Sequence, residues 1–283
     1  MDPVSLFIQG AWGSDPGRFP GPQPVSIERR HFSWLRRQPY VVCEKTDGVR
    51  HLLACLPGTK ECHLVDRSFT VKETLTFAGF AKDTLLDGEL VTTKDGRRLF
   101  MIHDAVRVKG EDLMQAPLTK RLAAAAAALR LVIKSKKDSV ELRVKNMIPL
   151  ENISELKPLG DFEYETDGLV FTPVNEPIRM GTHETMFKWK PRERITIDFV
   201  LFSGRRLFVQ DRGVPYEEAE LHTRNVCEEI PDGTIVECGY GDLGFFVEKI
   251  RTDKTHANNR RTYARTMVNI REAIKYDEFL AAH

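Results

Sequence analysis

A lysine stands in the run Glu44-Lys45-Thr46-Asp47-Gly48-Val49-Arg50, at the end of the apolar stretch Tyr40-Val41-Val42-Cys43. Its neighbours suit a nucleophile that attacks a nucleotide phosphate. The amine of Lys45 attacks, Gly48 lets the backbone turn closely past it, and the guanidinium of Arg50 can hold the nucleotide. One short run proves little. Four further pieces that suit the same chemistry follow it in order along the chain.

Two of these pieces are Asp-Gly pairs. Asp-Gly occurs five times, at 47, 87, 95, 167 and 232. At Asp95 and Asp232 a hairpin turn accounts for the pair. Asp87-Gly88-Glu89 instead precedes Leu90-Val91, and Asp167-Gly168 precedes Leu169-Val170-Phe171. Each sets an acid beside a buried strand, which a turn alone does not need. Next comes Phe187-Lys188-Trp189-Lys190-Pro191. On a strand, Lys188 and Lys190 point the same way. Two adjacent ammonium groups repel, so a phosphate between them is their natural partner; a solvated edge strand is the plain alternative. The last piece is Arg251-Thr252-Asp253-Lys254, which follows an apolar strand and has Lys249, Arg260, Arg261 and Arg265 around it. It reads as a movable set of phosphate ligands.

The elements that position these residues are mostly strands. Residues 14–24, rich in Pro and Gly, read as an extended arm. Strands are expected at 51–56, 62–65, 90–93 and 98–103, with a tight turn at Asp95-Gly96. An alanine-rich helix is expected from Leu118 to Ile133, with Leu122, Ala125, Ala126, Leu129, Val132 and Ile133 on one face. A packed surface helix needs no special function. Strands return at 163–172 and 185–189. Pro191 and Arg192-Glu193-Arg194 mark a linker. Short strands at 197–202, 207–210, 235–239 and 245–250 suggest a small β-barrel. A closing helix would bury Tyr263, Met267, Ile270 and Ile274.

Composition sets the outer limits. The chain has 283 residues, which suggests two domains, and its 41% hydrophobic content is enough for packed cores. Although 29% of residues are charged, the formal net charge is only +1. That argues against tight, sequence-independent coating of DNA and leaves room for a local basic groove. The five cysteines form no C-x-x-C pair. Reduced, mostly buried thiols and an intracellular compartment are expected. The first residues lack a signal-peptide pattern, and no segment approaches the length of a membrane helix.

The ordered set resembles the covalent nucleotidyltransferase superfamily of mRNA capping enzymes and ATP-dependent polynucleotide ligases. The resemblance runs from about Phe19 to the C-terminal helix. Within the superfamily the chain is similar to the mRNA guanylyltransferases. Thr46 after the lysine, the Lys188-Trp189-Lys190-Pro191 run and the opening Phe19-Pro20-Gly21-Pro22-Gln23-Pro24-Val25-Ser26 are capping-type. The small size looks like that of the compact capping enzymes of large DNA viruses of algae. The resemblance implies an α+β fold. A nucleotidyltransferase (ATP-grasp-like ligase/capping) domain with antiparallel sheets and flanking helices, residues 1–192, precedes a smaller OB-fold β-barrel domain with a C-terminal helix, residues 193–283.

It also implies roles. Lys45 would attack the α-phosphate of GTP, expel pyrophosphate and form a covalent GMP adduct, which a 5′-diphosphate RNA end then takes to give GpppN-RNA. A lysine must lose its proton to attack, and lowering the usual pKa by roughly three units costs about 4 kcal/mol. Lys188, Lys190 and a divalent cation all push that way. Thr46 belongs to the nucleotide-binding set, and Arg50 and Glu89 would hold the ribose hydroxyls. Asp167 would stand on the metal side with Glu89, binding Mg²⁺ or Mn²⁺. Lys188 and Lys190 would contact the α-phosphate, and Arg67 another phosphate. Arg251, Asp253 and Lys254 would serve the β- and γ-phosphates. Lys145 would donate to guanine O6. His103, before Asp104-Ala105, would stack on the base where related enzymes usually have Phe. Ala257 replaces a common Pro.

The implied partners are GTP and an RNA end, with RNA triphosphatase and cap methyltransferase on other chains and no membrane. The implied site of action is the nucleus or cytoplasm, of a host cell if the chain is viral. Two rival readings share much of the set. One is an ATP-dependent polynucleotide ligase. The other is a non-catalytic RNA-binding module built on the barrel.

Overall fold

The computed structural model describes residues 2–15, 18–133 and 139–281. Of the arm expected over 14–24, Pro16 and Gly17 lie outside the described residues. The chain opens on helix α1 (Pro3–Trp12), which was not among the expected elements. Its ends are nevertheless written in the sequence. The Asp2 carboxylate accepts from the Val4 and Ser5 amides, Pro3 opens the first turn, and Gly13 closes the last with φ 60°.

Strand β1 (Gln23–Ser26), helix α2 (Phe32–Arg37) and strands β2 (Tyr40–Thr46), β3 (Val49–Cys55), β4 (Glu61–Val65) and β5 (Val71–Thr76) follow. Then come β6 (Thr84–Thr92), β7 (Arg98–Val108), β8 (Glu111–Asp112), helix α3 (Leu118–Leu129), β9 (Glu141–Val144), β10 (Ile148–Pro149), β11 (Thr166–Pro173) and β12 (Thr182–Trp189). The last strands are β13 (Ile197–Phe202), β14 (Arg206–Asp211), β15 (Val214–Glu220), β16 (Thr234–Gly241) and β17 (Gly244–Ile250), before helices α4 (Arg260–Glu272) and α5 (Tyr276–Leu280).

The chain forms two compact units that part between Lys188 and Trp189, with Ser26–Phe32 belonging to the second. In the first unit one sheet runs β5-β4-β3-β6-β7-β8, with β9 parallel to β7, and another runs β1-β12-β11-β2-β10. The larger sheet is covered on both faces, and alternation decides which residue goes where. Leu53, Leu64, Leu86, Phe100 and Ile102 meet Ala125 and Ala128 of α3. Leu52, Ala54, Val65 and Leu85 meet Val4, Ile8 and Trp12 of α1. The alanine run is thus a packed helix, but it stops at Leu129 rather than Ile133. The Ile133 amide donates to the Ala78 carbonyl at 2.8 Å, a bond outside the helix, and the Ile133 side chain is exposed instead of buried.

In the second unit β15-β14-β13-β16-β17 form one five-stranded sheet. The expected barrel does not close with a ladder among the described residues. A single parallel bridge, Leu221 to Phe245, ties the two edges. Phe199, Leu201, Leu207, Val209 and Val236 pack with Met267 and Ile270 of α4. The closing helix breaks earlier than its pattern suggested. Ala273 turns left-handed at φ 44°, and the Ile274 carbonyl accepts from the Trp189 indole at 2.8 Å. Residues 26–32 join this unit because the Arg29 amide donates to Glu272 at 2.8 Å and Phe32 stacks on Phe279 at 5.4 Å. No helix among the described residues is long and apolar enough to cross a membrane.

Candidate active site

A cavity of about 150 Å³ in the first unit is lined by Lys45 and by five of the residues expected to bind the nucleotide, Thr46, Arg50, Glu89, His103 and Lys145. Lys45 and Thr46 end β2, where pairing with β11 is irregular. Thr166 pairs with Thr46 and Gly168 with Lys45, so Asp167 is an extra residue between them. A bulge re-aims the side chain it carries. Here Asp167 Oδ1 lies 2.8 Å from Lys45 Nζ, and the lysine side chain is 25% exposed. The Lys45 amine and an acid therefore meet where the pairing of β2 with β11 is irregular.

Gly48 follows in the β2–β3 turn. A Cβ there would lie 2.6 Å from the Leu90 carbonyl oxygen and 3.0 Å from Glu89 Cγ. Only glycine lets the lysine turn run this close to β6. The Thr46 hydroxyl then donates to Glu89 Oε2 at 2.9 Å, and Lys145 Nζ donates to Thr46 Oγ1 at 3.1 Å.

Asp87-Gly88-Glu89 lies in the middle of β6. A Cβ on Gly88 would meet the Phe100 ring at 2.6 Å and the Met101 carbonyl oxygen at 2.7 Å. Asp87 is fully buried and takes the Arg50 guanidinium on both oxygens, at 2.9 and 2.5 Å, while Arg50 Nη1 donates to the Pro22 carbonyl at 2.5 Å. Burial alone would raise the Asp87 carboxyl; the Arg50 guanidinium more than offsets it and holds it low. Arg50, expected to hold the ribose, thus also builds the cavity wall.

His103 occupies a second bulge. Asp87 pairs with Asp104 and Gly88 with Ile102, which leaves His103 as the extra residue of β7. Its Nε2 lies 3.5 Å from Asp87 Oδ1. Enclosure pushes the imidazole down to about 4 despite that carboxylate, so the ring is neutral and planar at neutral pH. Arg121 reaches from α3 to hold Asp104 at 2.6 and 3.1 Å in a buried pair.

The remaining predicted residues lie elsewhere. Arg67 is not in the cavity lining; its guanidinium sits 5.6 Å from the Phe19 ring, which Arg50 approaches at 5.0 Å. Lys188 is on β12 two residues beyond Met186, a cavity-lining side chain, so strand alternation turns it to the same face. Lys190 follows the strand end, in the second unit. Arg251, Asp253 and Lys254 are also in the second unit. There Arg251 donates to Asp253 twice at 2.8 Å, to Asp198 at 2.9 Å and to Glu237 at 3.0 Å. Lys254 lies 3.9 Å from Asp198. The expected phosphate ligand Arg251 is in this arrangement the centre of an ion-pair network.

Asp167 and Glu89 suit a hard divalent cation in one specific way. Among the described residues no three His, Cys, Asp or Glu side chains form a metal-holding group. Mg²⁺ takes one or two carboxylates and completes its shell with substrate phosphates and water, and Asp167 beside Lys45 and Glu89 beside Thr46 are the carboxylates available to it here.

The family profile described as "mRNA capping enzyme, catalytic domain" matches residues 4–192. The chain belongs to the mRNA capping enzyme family. Relatives in the family include the mRNA-capping enzyme subunit alpha of Schizosaccharomyces pombe, 30% identical over 95% of this chain and 80% of the relative. The subunit of the same name from Neurospora crassa is 26% identical over 93% of this chain and 84% of its own. A solved mycobacterial DNA ligase D complexed with ATP and MES is similar at 12% identity and TM-score 0.48, covering 86% of this chain and 100% of that one.

Within this capping enzyme family member, the sequence analysis noted Asp87 as an acid beside a buried strand but gave it no partner, and it gave no role to Asp104, Arg121 or Glu44. For Glu44 the signal was an acid following the apolar run of its strand. Glu44 alternates with Lys45 toward the opposite face, is buried, and accepts from the Tyr164 hydroxyl at 2.9 Å.

Proposed function

We infer that the chain is an mRNA guanylyltransferase that works through a covalent Lys45–GMP intermediate. The observation that carries this is the Lys45 amine, held 2.8 Å from Asp167 beside a cavity lined by Thr46, Arg50, Glu89, His103 and Lys145. In the first step Lys45 Nζ bonds to the α-phosphorus of GTP, the bond to the β-phosphate oxygen breaks, and pyrophosphate leaves with its electrons. The ammonium sheds one proton before attack and the bonded nitrogen sheds a second, both passing to solvent, with the Asp167 carboxylate the adjacent acceptor. In the second step a terminal oxygen of a 5′-diphosphate RNA end takes the GMP, the N–P bond breaks and the amine recovers a proton.

Glu89 and Arg50 hold the ribose side, and a carboxylate that accepts from a hydroxyl separates ribose from deoxyribose. His103 stacks on the base as a neutral ring. Lys145 donates to an acceptor on the base edge. Lys188 and Lys190 stabilise charge on the α-phosphate as the leaving group departs. Arg67 is a further phosphate contact. On the second unit, which we propose is an OB-fold, Arg251, Asp253 and Lys254 serve the β- and γ-phosphates once Arg251 exchanges carboxylates for phosphate. When Mg²⁺ or Mn²⁺ is bound, Asp167 and Glu89 would hold it with the nucleotide, where it would neutralise phosphate charge.

Relatives named as an alpha subunit support a partner chain, and we assign the triphosphatase and methyltransferase steps to other proteins. The site of action is where transcripts are made, nucleus or cytoplasm. The test is incubation with divalent metal and α-labelled GTP or ATP, followed by denaturing gel. Label from GTP only, lost in Lys45→Arg, is expected. Arginine keeps the charge but does not readily deprotonate. Label from ATP only, or label surviving in Lys45→Arg, overturns the reading.

A further inference from the structure

Lys145 is 5% exposed, and a buried ammonium is costly unless a carboxylate and hydrogen bonds satisfy it. Its carboxylate is Glu44, at 3.6 Å from Oε1, and Glu44 is itself 2% exposed. Glu44 does not line the nucleotide cavity. It faces a second cleft, of about 360 Å³, together with Tyr164, Arg143 and Phe162. The Tyr164 hydroxyl donates to the same Oε1. Burial, reinforced by Glu44, keeps that phenol protonated and therefore a donor.

An ammonium has three N–H donors. One goes to Thr46 Oγ1 at 3.1 Å, and one faces Glu44. The third is left for the cavity that Lys145 lines. Two fixed partners therefore decide the direction of the one donor a ligand can use. A purine with a carbonyl at its 6-position accepts from it; a purine with an amino group there presents a second donor and is rejected.

We propose that Glu44 is a positioning residue for base selection, acting through Lys145 without touching the nucleotide. The proposal rests on the guanylyltransferase reading and adds to it the residue that enforces the choice of base. Without the carboxylate, the ammonium is free to turn from the base edge, and the loss falls on recognition more than on phosphoryl chemistry.

The experiment measures covalent labelling of wild-type protein, Glu44→Gln and Lys145→Met across concentrations of GTP, ITP and ATP. Glu44→Gln should raise KM for GTP and ITP about tenfold, lower the maximal labelling rate by less, and shrink the preference over ATP about tenfold. In the Lys145→Met background, Glu44→Gln should add nothing to the change in preference. Tyr164→Phe, which spares both charges, should move KM in the same direction by less and serves if Glu44→Gln does not fold. Unchanged KM and preference in Glu44→Gln, or a full-sized effect without Lys145, overturns the proposal while the activity stands. Wild-type protein labelled by neither GTP nor ATP overturns the guanylyltransferase reading and this proposal with it.

Discussion

His103 makes the structure's electrostatics measurable. Its ordinary value near 6.5 falls to about 4 in the folded chain, chiefly because the ring is enclosed. Between those values the unfolded chain holds a proton that the folded chain does not. Stability is therefore complete above about pH 6.5 and falls as pH drops toward 4, by up to about 1.4 kcal/mol per pH unit. From pH 7.5 to pH 5 this amounts to about 2 kcal/mol, and by pH 4 to about 3 kcal/mol. His103→Phe removes the titration and keeps a flat ring. Any constant packing cost of Phe cancels in the difference between pH values, and carboxylates away from His103 cancel as well; Asp87, 3.5 Å from the ring, is the one that does not. Urea unfolding of both proteins at pH 7.5 and 5 should show the wild type losing about 2 kcal/mol more than the variant. An NMR titration of the His103 ring should find it neutral at pH 6. Equal losses in the two proteins, or a ring that titrates near 6.5, would refute the reasoning and place a charged imidazole beside Asp87.

Three further perturbations test other parts of the site. Asp167→Asn removes the negative charge on the Lys45 amine and should cut covalent labelling by about 100-fold with melting unchanged; labelling within threefold of wild type would remove Asp167 from the chemistry. Arg251→Met leaves the buried Asp198 and the half-buried Glu237 without their guanidinium, which should cost about 3 kcal/mol in urea unfolding; a loss under about 0.5 kcal/mol would show the network to be idle. Gly88→Ala drives a methyl into Phe100 and the Met101 carbonyl and should cost about 1–3 kcal/mol, with a lower melting temperature as the readout; an unchanged melting temperature would mean that β6 yields freely.

Much of the site was legible in the sequence because chain order and local pattern carry it. Lys45, Gly48, Glu89, Asp167 and Lys188 announce themselves by neighbours within a few residues. The turns at Asp95 and Asp232 were legible for the same reason, and Gly96 and Gly233 do adopt φ 85° and 84°. What stayed hidden depends on register. The Arg50–Asp87 pair needs β3 laid against β6, and the Glu44–Lys145 pair joins residues a hundred positions apart. Helix α1 was missed because it is short; its caps and the four-residue spacing of Val4, Ile8 and Trp12 were the available signals. Ile133 was assigned to a helix by period alone, whereas a backbone bond to Ala78 ends that helix's claim on the segment. The second unit's barrel was inferred from strand spacing, which says nothing about whether edge strands meet.

Asp167 and His103 are each the surplus residue of a bulge. Removing Asp167 alone would let Thr166 and Gly168 sit opposite Thr46 and Lys45 as consecutive partners of a regular ladder. Removing His103 alone would make Ile102 and Asp104 consecutive partners of Gly88 and Asp87, with the other irregularity of that pair, between Leu85 and Leu86, left in place. Each is thus one residue more than its partner strand requires at that point. A single-codon deletion at Asp167 would yield a chain with its strand pairing repaired and its acid gone. On the proposed chemistry at Lys45, a related chain would need the extra residue itself, and not merely an acid nearby, to bring a carboxylate to the amine.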